Sequence, residues 1–248
     1  DLHSFPTRRS SDLNGKPVVV GSASELEAGV SDPQGMVCRF NVAGNPDTSF
    51  DGDGCRLLEL DFESSTGNDF VRAVVSLPDD SLLIVGTAKG LSDLDSAQRG
   101  FIAKLKVDGS YDTDFGLGGL RWLDFPLTDF VIAEQIAVGA DGRIYVGGAR
   151  RRDQLTQAFV AGFDSAGDPL PGYGDNGLAE FAFAQEFPNP SSIGQYTTGL
   201  VVDGGGRVTH CGHARDFDNT TLMVTLARLD GNGQPDPGFD GDGRLITS

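Results

Sequence analysis

The turn DGDG places two carboxylates two residues apart, and it occurs twice in the sequence. The carboxylates are Asp51 and Asp53 in the first copy and Asp240 and Asp242 in the second. Hard cations such as Ca²⁺ bind alternating carboxylate oxygens, so both turns are candidate calcium sites. They lack the third acidic position and the following Glu of an EF-hand loop. A second interpretation therefore stays open, in which each is a glycine-rich turn whose Asp side chains bind local backbone N–H groups.

The segment HCGH, from His210 to His213, offers two imidazoles and a thiol, which are zinc ligand types. In a strand, residues three apart point to opposite faces. The only other histidine is His3. We therefore predict ordinary strand positions here, and calcium is the only cofactor that the sequence suggests.

Arg150 to Arg152 form the one basic run. This run predicts a solvated loop, and binding of an anionic partner is the alternative. No nucleophile elbow, phosphate loop or Ser-His-Asp set can be assembled from the sequence. Catalytic residues are therefore unknown at this level.

The elements that would position these residues follow from an internal repeat. Four segments share a turn, an apolar run and a closing glycine, as in ADGRIYVGGA. The closing glycines are spaced by 65, 62 and 64 residues, and they are Gly21, Gly86, Gly148 and Gly212. A second motif repeats in step with the first and carries an aromatic residue followed four residues later by glycine. The aromatics are Phe50, Phe115, Tyr173 and Phe239. We assign structural roles to both sets.

The second repeat shows the strand pattern most clearly. Residues 70–77 alternate, residues 82–85 are apolar on both faces as in a central strand, and residues 101–107 alternate as in an edge strand. Residues 120–125 form a further short strand. Four antiparallel strands per repeat of about 60 residues predict an all-β, β-propeller-like fold with about four blades. The repeats span about 14–62, 69–125, 131–183 and 197–248. We expect an incomplete arc of a larger propeller, with a closed four-bladed ring as the alternative.

Composition limits the possible partners. The chain has 248 residues and a net charge of −17, with 36 acidic against 19 basic residues. Such an acidic surface argues against nucleic acid as a partner. No stretch reaches the apolar length of about 20 residues that a membrane helix needs. Three cysteines, Cys38, Cys55 and Cys211, do not suggest a disulfide framework and leave the redox compartment undetermined.

Residues 1–13 share nothing with the repeat. They match one reading frame of a DNA sequencing-library adapter translated as protein, so we interpret them as non-native. On this interpretation the first repeat lacks the strand before residues 18–20, and a signal peptide has been lost by truncation. We also expect exposed sheet faces and edges at both ends of the repeat array, which would make the chain self-associate.

Together the two motifs resemble the delta-60 repeat family of bacterial proteins. One motif is carried by Asp141, Gly142, Arg143 and Gly148, and the other by Asp108, Gly109, Asp112, Phe115, Gly116 and Gly119. The resemblance covers the chain from Asn14 onward. The third repeat departs from it with Gly162, Leu170 and Tyr173. The resemblance implies a propeller-like protein that is secreted or on the bacterial cell surface, with no activity common to the family.

Two functions remain as hypotheses. The first is a non-catalytic extracellular scaffold that binds a protein or polysaccharide, since no catalytic constellation is evident. The second is a hydrolase or lyase module with acidic residues at the mouth of a propeller channel, because a fold alone never fixes function. An acidic residue in one repeat where the others are apolar would favour the enzyme.

Overall fold

The computed structural model describes strands and turns along most of the chain. The described residues are 8–11, 14–27, 30–58, 60, 68–89, 98–126, 130–152, 155–181, 183, 193–216 and 222–247. Within these ranges there are sixteen strands and no helix. The strands form four antiparallel sheets of four strands, and each sheet uses four consecutive strands in chain order. The prediction of four four-stranded antiparallel sheets is confirmed.

The strand bounds are as follows. Sheet one contains β1 (Arg8–Ser11), β2 (Pro17–Glu27), β3 (Val30–Arg39) and β4 (Cys55–Leu57). Sheet two contains β5 (Asp69–Ser76), β6 (Leu82–Lys89), β7 (Gln98–Leu105) and β8 (Leu120–Trp122). Sheet three contains β9 (Phe130–Val138), β10 (Ile144–Arg152), β11 (Leu155–Phe163) and β12 (Leu178–Phe181). Sheet four contains β13 (Ile193–Val202), β14 (Val208–Asp216), β15 (Leu222–Leu229) and β16 (Arg244–Thr247).

The chain divides into two compact units, Asp1–Asp124 and Phe125–Ser248. Unit one holds sheets one and two, and unit two holds sheets three and four. In unit one, β5 contacts β1, β2 and β3. In unit two, β13 contacts β9, β10 and β11 in the same way. The first strand of the second sheet therefore covers one face of the first sheet in each unit.

The second strand of each sheet is central, as the apolar runs predict. All four side chains from Leu82 to Val85 in β6 are fully buried. Residues 144–149 in β10 are buried as well. A strand with apolar side chains on both faces buries both of them only when other layers cover the sheet on each side.

The third strand is not the edge strand that its alternation predicts. Strand β7 pairs with β6 on one side and with β8 on the other, so β8 is the edge. Phe101, Ile102 and Ala103 are all fully buried, whereas Val107 lies beyond the strand and is exposed. The prediction was wrong because the outward residue Lys104 forms an ion pair with Asp112 in the following turn. Its charge therefore does not mark a solvent-facing edge.

Sheet one also differs from the prediction, because it has a first strand. Arg8–Ser11 pairs antiparallel with residues 17–20 of β2. The expectation of a missing strand was wrong because pairing uses backbone N–H and C=O groups that nearly every residue carries. An unpaired edge of β2 accepts any extended segment that reaches it.

The turn after each third strand has the same hydrogen bonds in every sheet. In sheet two, the backbone N–H of Asp112 donates to Lys104 O, that of Phe115 to Asp112 O, and that of Gly119 to Phe115 O. The closing glycines have φ of 84° to 97°, a left-handed conformation that favours glycine. The same three bonds join Arg39, Asp47, Phe50 and Gly54 in sheet one, Gly162, Leu170, Tyr173 and Gly177 in sheet three, and Arg228, Asp236, Phe239 and Gly243 in sheet four.

An ion pair holds this turn in three sheets and an apolar contact replaces it in the fourth. Lys104 Nζ lies 2.9 Å from Asp112 Oδ2. In sheet three both charges are absent, and a Cβ on Gly162 would lie 3.2 Å from Leu170 Cδ1. Leu170 therefore covers the place where the basic side chain would begin. The matching pairs are Arg39 with Asp47 and Arg228 with Asp236, each at 2.8 Å.

A disulfide joins the last two strands of sheet one. Cys38 and Cys55 are directly opposite each other on β3 and β4 and are bonded. The sequence did not predict this pairing, because the odd cysteine count hides it. Spacing alone cannot show that a 17-residue separation spans one turn and returns to the same register. The third cysteine, Cys211, is free.

Candidate functional site

A β-bulge interrupts the first strand of sheets two, three and four at the same place. The register with the second strand shifts between Val71 and Ala73, opposite Gly147 and Gly148, and between Thr197 and Gly199. One residue in each bulge therefore falls outside the register between the two strands, and its side chain is re-aimed. These residues are Arg72, Glu134 and Thr198.

The repeated glycines make room for the bulge. A Cβ on Gly148 would lie 2.0 Å from the carbonyl oxygen of Ile132. The same approach occurs between Gly86 and Phe70 and between Gly212 and Tyr196, at 2.1 Å each. The first strand thus packs its backbone directly onto the second, which only glycine permits.

In unit two the bulge sends a carboxylate from β9 toward β13. Glu134 Oε2 accepts a hydrogen bond from the backbone N–H of Thr197 at 2.6 Å. The Thr197 hydroxyl donates to the carbonyl oxygen of Gly148 at 3.1 Å. The bulge of sheet three is therefore tied to the first strand of sheet four by two hydrogen bonds.

His210 completes this arrangement from β14. Its Nε2 lies 3.0 Å from Thr197 Oγ1. Since that hydroxyl donates its proton to Gly148, Nε2 carries a hydrogen and donates to Thr197, which leaves Nδ1 as the acceptor. His210 is fully buried and packs against the Phe181 ring at 5.3 Å between centroids. Burial lowers the pKa of His210 to about 4, so the imidazole is neutral at pH 7.

Two buried amides stand near these residues along the same strands. Gln135 follows Glu134 on β9, and Gln195 precedes Thr197 by two residues on β13. They are 7% and 2% exposed. Among the described residues, Gln135 Nε2, Gln195 Oε1 and His210 Nδ1 have no hydrogen-bond partner. We define the first-strand cluster as Glu134, Gln135, Gln195, Thr197 and His210.

The first-strand cluster lies where the repeats differ. By alignment on the repeated glycines and the strand register, three of the five equivalent residues of sheet two are apolar, and the other two are Asp69 and Arg72. The residues that replace Thr197 and His210 there are Val71 and Ile84. Gln135 corresponds to Ala73. Glu134 is thus an acidic residue at a bulge whose counterparts are Arg72 and Thr198.

Sequence comparison did not single out Glu134, Gln135, Gln195 or Thr197. They could have been found as polar residues that lie a fixed number of positions from the repeated glycine. The bulge adds one residue to the first strand. The register between the first and second strands therefore differs by one residue on the two sides of the bulge. A strict two-residue alternation therefore assigns Gln135 to the wrong face.

The predicted calcium residues lie in the turns after the third strands. Asp51 pairs with Arg56 at 2.9 Å, and Asp53 Oδ1 accepts the backbone N–H of Cys55. Asp242 Oδ1 accepts the backbone N–H of Arg244 in the same way. Asp51 and Asp240 both have φ of 50°. These contacts are the ones expected of the turn interpretation, and calcium binding stays a prediction.

No convergent metal site is evident elsewhere in the part of the chain that the structure describes. Within it, no three His, Cys, Asp or Glu side chains are grouped so that they could hold a metal ion. His210 and His213 lie on opposite faces of β14, as predicted for a strand. His213 stacks on Tyr196 with 5.1 Å between ring centroids.

The basic run is not a solvated loop. Arg150, Arg151 and Arg152 form the end of β10, and Arg150 is only 3% exposed. Its Nε pairs with Glu180 on β12, and its guanidinium lies 5.8 Å from the Phe125 ring centroid. The prediction failed because Arg150 continues the strand after Gly148, where an ion pair with the more exposed Glu180 balances its charge.

The residues assigned structural roles lie in the turns and central strands. Phe50, Phe115 and Tyr173 are at most 1% exposed, and Phe239 is partly buried. Phe50 also lies beneath the Arg39 guanidinium at 4.9 Å. These aromatics anchor the turns to the body of each sheet.

The first-strand cluster combines a carboxylate, two amides, a hydroxyl and a neutral imidazole. Such groups donate and accept hydrogen bonds with a hydroxyl-rich ligand. One carboxylate is not the pair of Asp or Glu residues that most glycosidases use. A neutral imidazole and a carboxylate can both act as general bases.

Comparison with solved structures identifies the class of fold. The chain is similar to the polysaccharide lyase Uly1, with a TM-score of 0.55 and 11% sequence identity over 97% of this chain and 59% of the lyase chain. It is also similar to an endo-arabinase from Bacteroides thetaiotaomicron, with a TM-score of 0.50 and 9% identity over 97% of this chain and 78% of that one. The chain thus spans about three fifths of the length of the lyase. The fold is all-β and β-propeller-like.

No protein-family model matches the sequence, and no curated protein matches it. The described part of the chain contains no helical segment with the length and hydrophobicity that a membrane crossing requires.

Proposed function

We propose that the chain is part of an extracellular carbohydrate-active protein that binds a polysaccharide at the first-strand cluster and cleaves it. The observation that carries this proposal is the buried set of polar groups at the bulged first strands of unit two. Two of its amide atoms and one imidazole nitrogen have no hydrogen-bond partner among the described residues. Glu134 is only partly buried, so it is the member of the cluster that a sugar hydroxyl can contact, whereas Gln195, Thr197 and His210 are at most 2% exposed.

Two further observations support the proposal. The structural neighbours include a polysaccharide lyase and an endo-arabinase, which favours an enzyme over a scaffold. The Cys38–Cys55 disulfide fits an oxidising compartment outside the cytoplasm. Membership of the delta-60 repeat family is part of the proposal, and it rests on the repeated motifs alone.

The second candidate function is a scaffold that binds polysaccharide without cleaving it. The first-strand cluster favours this function in one respect, because it holds a single carboxylate, Glu134. An enzyme built on it would use Glu134 as the base, because His210 is fully buried, and the catalytic acid would come from another group.

The test measures binding and cleavage together on the full chain. A panel of neutral and uronate-containing polysaccharides is tested for binding by affinity electrophoresis and for new reducing ends. A lyase product is recognised by the ultraviolet absorbance of its new double bond. The Glu134→Gln variant keeps an oxygen for the Thr197 N–H, so its fold should persist while cleavage falls by about 100-fold or more.

The matched control is Asp141→Asn, a carboxylate change in the exposed turn before β10. It should cleave like the unmodified protein. Binding without cleavage would support the scaffold, and failure to bind every polysaccharide would contradict both functions.

A further inference from the structure

Thr197 is the buried residue that joins the carboxylate of Glu134 to the interior of unit two. Thr197 is 2% exposed, whereas Glu134 is only partly buried. The backbone N–H of Thr197 donates to Glu134 Oε2 at 2.6 Å, a distance shorter than is usual for an N–H donor and in keeping with a charged acceptor. The position of this N–H therefore restricts where the carboxylate group lies.

The hydroxyl group of Thr197 is held from two sides. It donates to the carbonyl oxygen of Gly148 on β10 at 3.1 Å, and it accepts a hydrogen bond from His210 Nε2 on β14 at 3.0 Å. One side chain is thus bonded to the second strands of both sheets in the unit. Because the χ1 angle of a threonine is restricted, fixing its hydroxyl also fixes the backbone N–H of the same residue.

The imidazole of His210 is itself held in one place. A Cβ on Gly212 would lie 2.9 Å from His210 Cε1, so the ring occupies the space that this glycine leaves. On its other neighbour, the Phe181 ring, it packs at 5.3 Å between centroids. Burial lowers the pKa of His210 to about 4, so the ring is neutral at pH 7 and keeps one N–H for Thr197.

Packing between two sheets does not require these polar groups. The positions of Thr197 and His210 are apolar in the other described sheets that carry the bulge. The residues there are Val71 and Ile84 in sheet two and Ala133 and Val146 in sheet three. In unit one, Val71 and Ile84 belong to the core shared by sheets one and two. A buried hydroxyl and imidazole cost free energy that apolar residues do not, so their presence in unit two indicates a further role.

We propose that Thr197 and His210 are positioning residues for the Glu134 carboxylate. His210 holds the Thr197 hydroxyl, and Thr197 in turn directs its N–H at Glu134. This role rests on the proposed function, in which Glu134 is the base. Thr197 and His210 are at most 2% exposed, so they act through Glu134 and do not contact the polysaccharide.

The first test needs no substrate. It follows the amide proton of Thr197 in the full chain by NMR. His210→Phe keeps a ring but loses the N–H donor, so the amide resonance should move upfield and its exchange with solvent should become about 10-fold faster. His210→Gln keeps an N–H near the place of Nε2 and should restore both values. An unchanged resonance and exchange rate in His210→Phe would overturn the proposal.

The second test measures cleavage of a polysaccharide that the unmodified protein cleaves. Thr197→Val should lower kcat by about 10-fold or more and change KM by less than about twofold, because the orientation of a base affects the chemical step and not binding. Thr197→Ser retains the hydroxyl and should retain most of the activity. Circular dichroism confirms that each variant is folded.

The matched control is Thr225→Val. Thr225 is also 2% exposed, and it lies opposite Gly212 on β15, across β14 from Thr197. This variant should cleave like the unmodified protein. Equal losses in Thr197→Val and Thr225→Val would overturn the proposal, because they would reflect the loss of any buried hydroxyl. A raised KM with an unchanged kcat in Thr197→Val would also overturn it.

The two tests separate this role from the proposed function. If the unmodified protein neither binds nor cleaves a polysaccharide, the proposed function fails. The amide resonance of Thr197 then still decides whether His210 and Thr197 orient the carboxylate. If cleavage persists in Glu134→Gln, Glu134 is not the base, and the positioning role in catalysis fails with it.

Discussion

Asp47 is the residue on which the first turn depends most. Its carboxylate receives hydrogen bonds from Lys16, Arg39 and Ser49. The Lys16 and Ser49 hydrogen bonds, with the Arg39 charge, hold the pKa of Asp47 well below its usual range. The Arg39 side chain is 1% exposed and also donates to the carbonyl oxygen of Val107 at 2.8 Å. A charge this deeply buried depends on its counterion.

Replacing Asp47 should therefore cost more than replacing an exposed partner. We expect Asp47→Ala to lower the free energy of unfolding by about 3 kcal/mol, because it leaves Arg39 without its carboxylate. Asp141→Ala removes the partner of exposed Arg143 and should cost about 1 kcal/mol or less. Urea denaturation of both variants measures the difference. Equal losses would show that burial of Arg39 adds nothing.

His210 should make stability depend on pH. The folded protein binds its proton less tightly than the unfolded chain, in which a histidine has a pKa of about 6.5. The neutral His210 imidazole therefore contributes fully to the free energy of unfolding above pH 6.5. This free energy falls by at most about 3 kcal/mol as the pH is lowered toward 4.

The matched pair for this pH dependence is His210→Phe and His213→Phe. The first should flatten the loss of stability between pH 6.5 and 4.5, measured by denaturation at a series of pH values. The second variant should still lose most of the same stability between pH 6.5 and 4.5, since His213 is less buried than His210. The carboxylates with lowered pKa values, such as Asp47 and Asp112, act at lower pH and do not confuse the result. An unchanged slope in His210→Phe would contradict the assignment.

At the level of strands, the repeated glycine and the bulge depend on each other. The bulge carries the first-strand carbonyl over the second strand, and the glycine leaves the space for it. The sequence predicted the glycine and the strand that contains it. It did not predict the bulge. One extra residue in a strand does not change the composition detectably, and it only shifts the alternation of apolar and polar residues, which is already irregular in these strands.

Gly148→Ala should therefore destabilise unit two. Its methyl group would meet the Ile132 carbonyl, and we expect a loss of about 3 kcal/mol in the free energy of unfolding. Gly172→Ala is the control in the same unit, because its Cβ would have no atom within 4 Å and its φ is not positive. A melting temperature of Gly148→Ala equal to that of the control would show that the backbone relaxes without cost.

The wrong prediction of an edge strand at residues 101–107 also came from reliance on local alternation. Alternation of Phe101, Ala103 and Leu105 with Lys104 and Lys106 looks like solvent on one side. Lys104 instead meets Asp112 from a turn eight residues later. Local patterning reports which residues are charged, but it does not report which charges find a partner in the fold.

For the whole molecule, the repeat predicted the number of sheets and the number of strands in each. The first-strand cluster was out of reach because its members come from β9, β13 and β14, which are separated by tens of residues. Their proximity depends on how one sheet packs on the next within unit two. The disulfide was likewise hidden, since the repeat contains no cysteine at either position in the other copies.

The disulfide should stabilise unit one and leave unit two unaffected. Cys38→Ser/Cys55→Ser should lower the stability of unit one by about 3 kcal/mol. The two cysteines are 17 residues apart, and a disulfide that closes a loop of about 15 residues stabilises a protein by about this amount. Hydrogen exchange measures each unit separately. Cys211→Ser is the control and should leave both units unchanged. Equal loss of protection in both units would show that they unfold together.

The third repeat shows how such an array can change over generations. Replacing Lys104 alone by glycine would leave a carboxylate without its partner, and replacing Asp112 alone by leucine would leave an amine without one. Sheet three carries both replacements, and Leu170 fills the space beside Gly162. A single mutational step between the two states passes through a less stable protein. Sheets two and three therefore differ by a pair of replacements that stabilise the turn only when both are present.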